Sequence, residues 1–336
     1  MIPGDIGRAL GVRASGTWRP GPPGSRGGAP GTYATSLPFL LASAAGAAPE
    51  EVAAGLAATL RGQDWICAAS VTGGGYLTVT VTARALAALA VRVPAAGAGW
   101  AASDALRGTE LTAPAAADPG SAASWEEAWE LVAAWVTGRL AGIAGATVKR
   151  QENFERVSPP DQAAPAAAVA FAGPEAIRYA LASTTRRRAG RIDASRWARR
   201  DLRNPFFAVR YAHARAASVL RWAADLGADR GPADLFRPEL LSHRAELELL
   251  GAISWLPERA ASAARRHRPD AFIRYLEWLA ERWLDCAESN PALPFGGRSA
   301  PHDEKEAAAR LWLAAAAQTA LGTGTRLLGL AAPQRL

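Results

Sequence analysis

The sequence predicts an α+β module, then a thin middle segment, then an all-helical segment. Three observations carry this expectation. Up to about Val93, two helical stretches precede two strand-like stretches, in the second of which Val or Leu alternates with Thr. From residue 173 onward, apolar residues recur at helical rather than strand spacing. Between them, residues 94–172 are rich in Ala, Pro and Gly and contain one strongly periodic stretch. With 336 residues, the chain is long enough for two or three domains with buried cores.

In the first segment, Gly16–Gly31 (GTWRPGPPGSRGGAPG) reads as a loop. Leu37–Ala48 and Glu50–Leu60 read as helices separated at Pro49, with Glu50 and Glu51 in a first turn that favours negative charge. Trp65–Ser70 and Tyr76–Thr82 read as strands around Gly73-Gly74-Gly75. The second strand places Leu77, Val79 and Val81 on one face and Thr78, Thr80 and Thr82 on the other. The glycine run lacks the Lys-Ser/Thr and the following helix of a phosphate loop, so a turn is expected there.

The middle segment begins and ends in Ala/Pro/Gly-rich stretches, Pro94–Ala102 and Ser158–Ala170. Its one clear helix starts at a capping box, Ser124 with Glu127, continues through Trp125, Trp129 and Val132, and closes at Gly142 and Gly145. Thr147–Arg150 fits a short strand. In the third segment, Asn204-Pro205 starts a helix that stops at Gly227. Ser242–Leu256 is expected to end at Pro257, and Glu304–Leu321 is the last long helix. Asp270–Cys286 carries Phe272, Leu276, Leu279 and Trp283 as one apolar stripe. Together these make a helical bundle.

Charge and residue census narrow the chemistry. There are 38 basic and 31 acidic side chains, for a net charge of +7, and a pI near 10.1. Only Lys149 and Lys305 are lysines. An arginine excess reads either as a polyanion partner, since guanidinium binds phosphate bidentately and stacks on bases, or as coding bias. Cys67 and Cys286 are too far apart in sequence to imply a disulfide framework or a zinc knuckle. His213, His243, His267 and His302 show no metal-ligand spacing, and no nucleophile–base order has a recognisable context. Glu126, Glu127, Glu246 and Glu248 are expected on solvated helix faces. The apolar stretches 81–102 and 131–148 are broken by Arg84, Arg92 and Arg139, and Met1–Arg13 lacks a signal pattern. A cytoplasmic protein with no membrane partner is therefore expected.

The distribution of arginines is informative. Arg186, Arg187, Arg188, Arg191, Arg196, Arg199, Arg200 and Arg203 lie close together, opposed only by Asp193 and Asp201. Phe206, Phe207, Arg210, Tyr211, His213 and Arg215 follow directly. Guanidinium beside aromatic faces fits RNA, whose phosphates and unstacked bases are both open to contact. A solvated helix face is the alternative. Arg265-Arg266-His267-Arg268 is a smaller cluster in a helix–helix connection.

The run Asn204–Arg215 (NPFFAVRYAHAR) resembles the opening of the anticodon-binding helical domain of arginyl-tRNA synthetases, the DALR domain. Gly173-Pro174-Glu175-Ala176-Ile177-Arg178-Tyr179-Ala180-Leu181 is similar to that domain's Gly-Ala-Asp-Ala-(Leu/Ile)-Arg-Tyr element, and Leu327–Leu336 to the family's chain end, which usually finishes in Met. Tyr33-Ala34-Thr35 and Gly73-Gly74-Gly75-Tyr76-Leu77 are similar to the family's additional N-terminal domain, which touches the outer corner of the tRNA. Ser36 replaces the usual Asn, and Gly73–Tyr76 the usual Gly-Pro-Gly-Phe. The middle departs from the family. Glu110–Pro114 and Asp118-Pro119 align with the approach to the His-x-Gly-His adenylation motif, but the motif itself reads Ser121-Ala122-Ala123-Ser124. No Lys-Met-Ser-Lys loop is present, since neither lysine has another nearby.

The resemblance implies three domains: an α+β module at 1–93, a degenerate and truncated remnant of the nucleotide-binding α/β catalytic domain at 94–172, and an all-α anticodon-binding bundle at 173–336. It implies a tRNA-binding pseudo-synthetase with no catalytic residues and no cofactor. ATP and arginine enter only if ligase activity is retained or completed in trans. The implied partner is tRNA, arginine tRNA among the candidates; a protein-interaction module without RNA binding stays open as a third reading. The expected tRNA-binding residues are Asn204, Arg210, Tyr211, His213, Arg215 and Leu336 on the anticodon side, Arg186, Arg187, Arg188, Arg199 and Arg200 on the stem, and Tyr76 in the N-terminal module.

Overall fold

Alternation of Leu and Val with Thr places one strand at the centre of a sheet. β1 (Thr32–Thr35), β2 (Ile66–Thr72) and β3 (Tyr76–Val81) form an antiparallel sheet in the order β1-β3-β2. In β3, Leu77, Val79 and Val81 are buried and pair with Thr35, Tyr33 and, across the other edge, Ile66. The computed structural model describes residues 2–12, 17–18, 29–151, 164–293 and 304–336. Most of the expected Gly16–Gly31 loop lies outside the described residues, as does the first part of the Ser158–Ala170 run. The described residues form two compact units, one of residues 1–100, 216–258 and 281–320, the other of 101–215, 259–280 and 321–336.

In the first unit, α1 (Ile2–Ala9), α2 (Leu37–Ala45) and α3 (Pro49–Arg61) accompany the sheet. α3 buries Ala53, Ala57 and Leu60 at i, i+4 and i+7, with Pro49 in its first turn, where a missing N–H costs nothing. Gly73, Gly74 and Gly75 all have positive φ, and a Cβ on Gly75 would fall 2.7 Å from Pro49 Cβ, so this run is a tight turn laid on α3. Two helices not expected from the sequence follow, α4 (Ala83–Ala87) and α5 (Leu89–Ala96). The latter contains Pro94, which the Ala/Pro/Gly reading had placed in a break.

The second unit contains a β–α–β crossover. β4 (Glu110–Pro114) and β5 (Thr147–Gln151) are parallel and are joined by α6 (Trp125–Ile143). Gly138 permits this packing, because a Cβ there would lie 2.4 Å from Ala113 Cβ on β4. α6 starts at Ser124, whose hydroxyl accepts the Glu127 N–H at 3.2 Å. The reciprocal half of the expected capping box is displaced by one residue: the Glu127 carboxylate accepts the N–H of Ala123 at 2.7 Å. α7 (Ala164–Ala172), α8 (Pro174–Ala182) and the short α9 (Ala194–Ala198) then lead into α10 (Pro205–Asp225).

The remaining helices are α11 (Arg244–Ser254), α12 (Leu256–Arg265), α13 (Pro269–Ser289) and α14 (Glu304–Leu327). The stripe Phe272, Leu276, Leu279 and Trp283 on α13 is buried as its spacing predicts. Two boundaries are corrected. α11 stops at Ser254, and Pro257 belongs to the first turn of α12 rather than ending a helix. α14 runs past the expected Leu321 because Gly322 and Gly324 serve close packing. A Cβ on Gly324 would sit 2.7 Å from Leu276 Cδ1, and one on Gly322 3.0 Å from His213 Nε2. Glu246 is also corrected: it is buried, accepting the His243 N–H at 3.0 Å and Arg310 Nε at 2.9 Å, and so closes a cap instead of facing solvent. Among the described residues no helix is long and apolar enough to cross a membrane, and no group of three or more His, Cys, Asp or Glu is placed to hold a metal.

The last helix ends on the indole of Trp135. Gly329 has φ +67, and a Cβ there would lie 1.9 Å from Trp135 Cη2, far inside contact distance. Substituting Gly329→Ala should lower stability by about 2–4 kcal/mol through overpacking and left-handed strain. Thermal denaturation checks this, with Gly190→Ala, where a Cβ meets nothing within 4 Å, as the neutral control.

Candidate nucleic-acid interface

The arginine-rich connection is shaped by short-range capping. After α8, residues Arg186–Arg191 form a 3₁₀ turn. Asp193 then caps α9, its carboxylate accepting the Ser195 N–H at 2.9 Å and the Ser195 hydroxyl at 2.7 Å. Those hydrogen bonds hold the Asp193 carboxyl below the usual carboxylate range. Asp201 accepts the Arg203 N–H at 2.9 Å and pairs with Arg199 Nε at 3.0 Å. Both aspartates are thus committed to local backbone.

Tyr179 holds this connection against the body of the unit. Its ring is buried and packs on Trp197 of α9 (5.8 Å between centroids) and Phe206 of α10 (5.6 Å), and its hydroxyl donates to Glu277 Oε1 at 2.8 Å. Tyr179 and Trp197 are positioning residues that the sequence reading did not single out. The signal was available, because Tyr179 ends the Gly173–Tyr179 element.

With the loop fixed in this way, Arg186, Arg187, Arg188, Arg191, Arg196, Arg199, Arg200 and Arg203 are all exposed. Arg186 pairs across to α6, at 3.0 Å from Glu130 and 3.5 Å from Glu126, with every partner in solvent. Such exposed pairs are worth at most about 1 kcal/mol and exchange easily for another anion. Arg196 lies over the Trp197 ring at 5.4 Å. Arg187, Arg188, Arg191 and Arg200 have no ion-pair partner among the described residues.

The start of α10 separates the expected contacts into two groups. Asn204 is 1% exposed, and its side chain donates to the carbonyls of Trp197 (2.9 Å) and Arg199 (2.7 Å) while accepting the Phe206 N–H (3.1 Å). His213 is 2% exposed, with Nδ1 at 2.9 Å from the Pro333 carbonyl. Both therefore anchor the chain to itself rather than face solvent. Arg210 lies over Phe206 at 5.1 Å, and its Nε is buried with no acceptor. Phe207 and Tyr211 are half-buried and stack at 6.2 Å, one helical turn apart. Arg215 is half-buried, and Leu336 is 57% exposed. Tyr76 belongs to the other unit, where it is half-buried and edge-on to Phe39 at 4.9 Å.

The tail from Leu328 is fastened at several points. Arg178 donates to the carbonyls of Gly329 (2.9 Å) and Ala117 (3.0 and 3.2 Å), and Glu175 accepts the Ala331 N–H at 2.6 Å. Arg139 caps the end of α14 through the carbonyls of Arg326 (2.7 Å) and Leu327 (3.1 Å).

Comparison with known proteins agrees with this architecture. Residues 26–81 match the family described as the arginyl tRNA synthetase N terminal domain, and residues 209–336 match the DALR anticodon binding domain. The arginine--tRNA ligase of Clavibacter sepedonicus is 36% identical over 171 residues, covering 49% of this chain and 28% of that protein. That of Paenarthrobacter aurescens is 34% identical over 171 residues, covering 50% of this chain and 30% of that protein. The aligned stretch thus spans less than a third of the length of these relatives. Thermus thermophilus arginyl-tRNA synthetase superposes over 100% of this chain and 99% of its own with a TM-score of 0.59 at 14% identity, a likeness of fold.

The tail clasp has a pH consequence. Burial, with Arg326 nearby, lowers the His213 pKa below its ordinary value, against the opposing effect of its bond to Pro333. The unfolded chain then binds more protons at mildly acidic pH, so the His213 contribution is complete above the ordinary value of about 6.5 and is lost as pH falls from there through the lower folded value. Melting temperatures of wild type and His213→Asn should be measured from about pH 7.5 to 5.5. The wild type should lose stability relative to the variant on acidification; parallel curves would remove His213 as the titrating group.

Proposed function

We propose that this chain, a relative of arginyl-tRNA synthetases by its two matched domains, is a tRNA-binding pseudo-synthetase that does not adenylate arginine. The observation that carries the reading is the exposed arginine set at 186–203, held on a capped connection immediately before the DALR match. Arg187, Arg188 and Arg200 contact stem phosphates; Arg186 and Arg199 join them by exchanging their carboxylate partners for phosphate. Tyr211, stacked on Phe207, with Arg210 and Arg215 faces loop bases, and Leu336 lies at the rim of that surface. Asn204 and His213 position these groups from beneath. Tyr76 faces the tRNA corner, a reading supported only by its place within the N-terminal match. Arginine tRNA is the first species to test.

Loss of adenylation rests on the interval 82–208, which both matched domains bracket. Within it, the place of a His-x-Gly-His motif is taken by Ser121-Ala122-Ala123-Ser124. Here Ser121 Oγ bonds the Asp118 carbonyl at 2.9 Å, and Ser124 is the helix cap. Neither side chain carries a cation or an imidazole for a developing phosphate charge. Lys149, the one lysine in this interval, forms an exposed pair with Glu110 at 2.8 Å and has no second lysine near it in sequence. The names of the relatives favour a retained ligase as the second reading. Arginine- and tRNA-dependent pyrophosphate exchange decides between them: the pure protein should give no signal above a no-enzyme blank.

Binding is tested by salt. If four to six phosphates are neutralised, log affinity for tRNA should fall with log salt at a slope of about −3 to −5. Changing Arg187, Arg188 and Arg200 together to Glu should weaken binding on the order of 100-fold and flatten that slope. A flat dependence in the wild type would refute the reading and favour a protein-interaction module.

A further inference from the structure

The tRNA reading leaves the second basic cluster, Arg265-Arg266-His267-Arg268, without a role. It sits in the connection from α12 to α13, in the same compact unit as residues 186–215. The connection is closed sharply: the Arg268 N–H bonds the Ala263 carbonyl at 2.9 Å, the His267 N–H bonds the Ala264 carbonyl at 3.0 Å, and His267 takes φ 51. Arg265 through Arg268 are all exposed.

What distinguishes this cluster from a merely solvated run is the carboxylate beneath it. Arg268 grips Asp270 with two parallel bonds, Nε to Oδ1 at 2.7 Å and Nη2 to Oδ2 at 2.8 Å. Arg274, one turn along α13, places Nη1 on the same Oδ2 at 2.7 Å. The Asp270 side chain is 5% exposed, whereas those of Arg268 and Arg274 are 52% and 51% exposed. One buried negative charge therefore fixes two half-exposed positive ones and cancels only one of them. The donors it does not use, Arg268 Nη1 and Arg274 Nε and Nη2, have no acceptor among the described residues. Two guanidiniums that share one oxygen are close enough to share one further anion. Their side-chain freedom has already been given up to Asp270, so anion binding costs less ordering.

We propose that the Asp270-anchored pair Arg268 and Arg274, together with Arg266, forms a second RNA contact that holds a backbone phosphodiester. The contact rests on the tRNA reading above and extends its footprint to the α12–α13 connection. The recognised group is the non-bridging phosphate oxygen, so the contact adds affinity and register without base preference.

The test uses the full chain and tRNA in filter binding at about 50 to 300 mM salt, with wild type, Arg266→Gln and the double variant Arg266→Gln/Arg274→Gln. Arg268 keeps Asp270 paired in both variants, and melting temperature is followed in parallel. The salt slope should become shallower by about 1 in the double variant, which gives up the one shared phosphate, and by roughly half of that in the single, with on the order of 10-fold weaker binding in the double variant. If the double variant proves unstable, the exposed Arg266→Gln alone carries the test. Unchanged slopes and affinities with a binding-competent wild type would overturn this contact and leave the triad as a structural cap on α13, with the 186–203 reading intact. A wild type that binds no tRNA would overturn both.

Discussion

The second unit depends on one indole held between two guanidiniums. Trp135, on α6, has Arg139 over its ring at 4.8 Å and Arg178 at 5.3 Å, and its Nε1 donates to the Ala115 carbonyl at 3.3 Å. The two arginines turn their remaining donors onto backbone carbonyls at 117, 326, 327 and 329. A helix end leaves carbonyls without intrahelical partners, and here charged side chains from two other helices satisfy them. One cluster thereby joins the crossover helix, α8, the approach to α6 and the end of α14. Every later feature of this unit, from the placement of the arginine connection to the tail beside His213, is built on that frame.

The same cluster explains part of the arginine composition on physical grounds. Burial pulls the Arg139 and Arg178 guanidiniums below their ordinary range, and neighbouring like charge adds to this for Arg139, yet both start so high that they stay charged. Arg259 is drawn by burial to about 10 and remains a cation. An ammonium starts at least about two units lower and lacks a planar fork, so in these places lysine would lose charge or leave carbonyls unsatisfied. Arginine preference and arginine clustering are therefore separate facts. Arg139, Arg178, Arg259 and Arg310 are spent on the fold, whereas those at 186–203 rest on a loop whose own carboxylates are used as caps.

Strand and helix periodicity in the sequence was sufficient to locate β3, α3, α6, α10 and α13, because each presents a repeating apolar face or an explicit cap. It failed where a residue's role is set by a distant neighbour. Gly322 and Gly324 look like a stop in sequence, but they are needed for His213 and Leu276 to approach α14. α4, α5 and α7 are alanine-rich and lack the contrast between faces that marks an amphipathic helix. For the candidate interface, sequence located the exposed arginines but could not separate them from Asn204 and His213. Half-buried Arg210, Tyr211 and Arg215 and buried His213 share one helix, with Asn204 as its cap, and burial alone sorts them.

Among the described residues the parallel β4–β5 ladder has two strands. Parallel strands are normally found in sheets covered on both faces, and doubly wound sheets bind ligands at a crevice formed where neighbouring strands diverge. Here α6 covers one face, through Gly138 against Ala113, while Thr147, Lys149 and Gln151 of β5 are exposed. The exposed face carries the Lys149–Glu110 pair. Among the described residues the β4–β5 ladder has no reversal of strand order. What the crossover does supply is α6, whose Trp135 and Arg139 fix the end of α14 and whose Glu126 and Glu130 meet Arg186. Through these contacts the crossover helix braces the arginine connection and the tail.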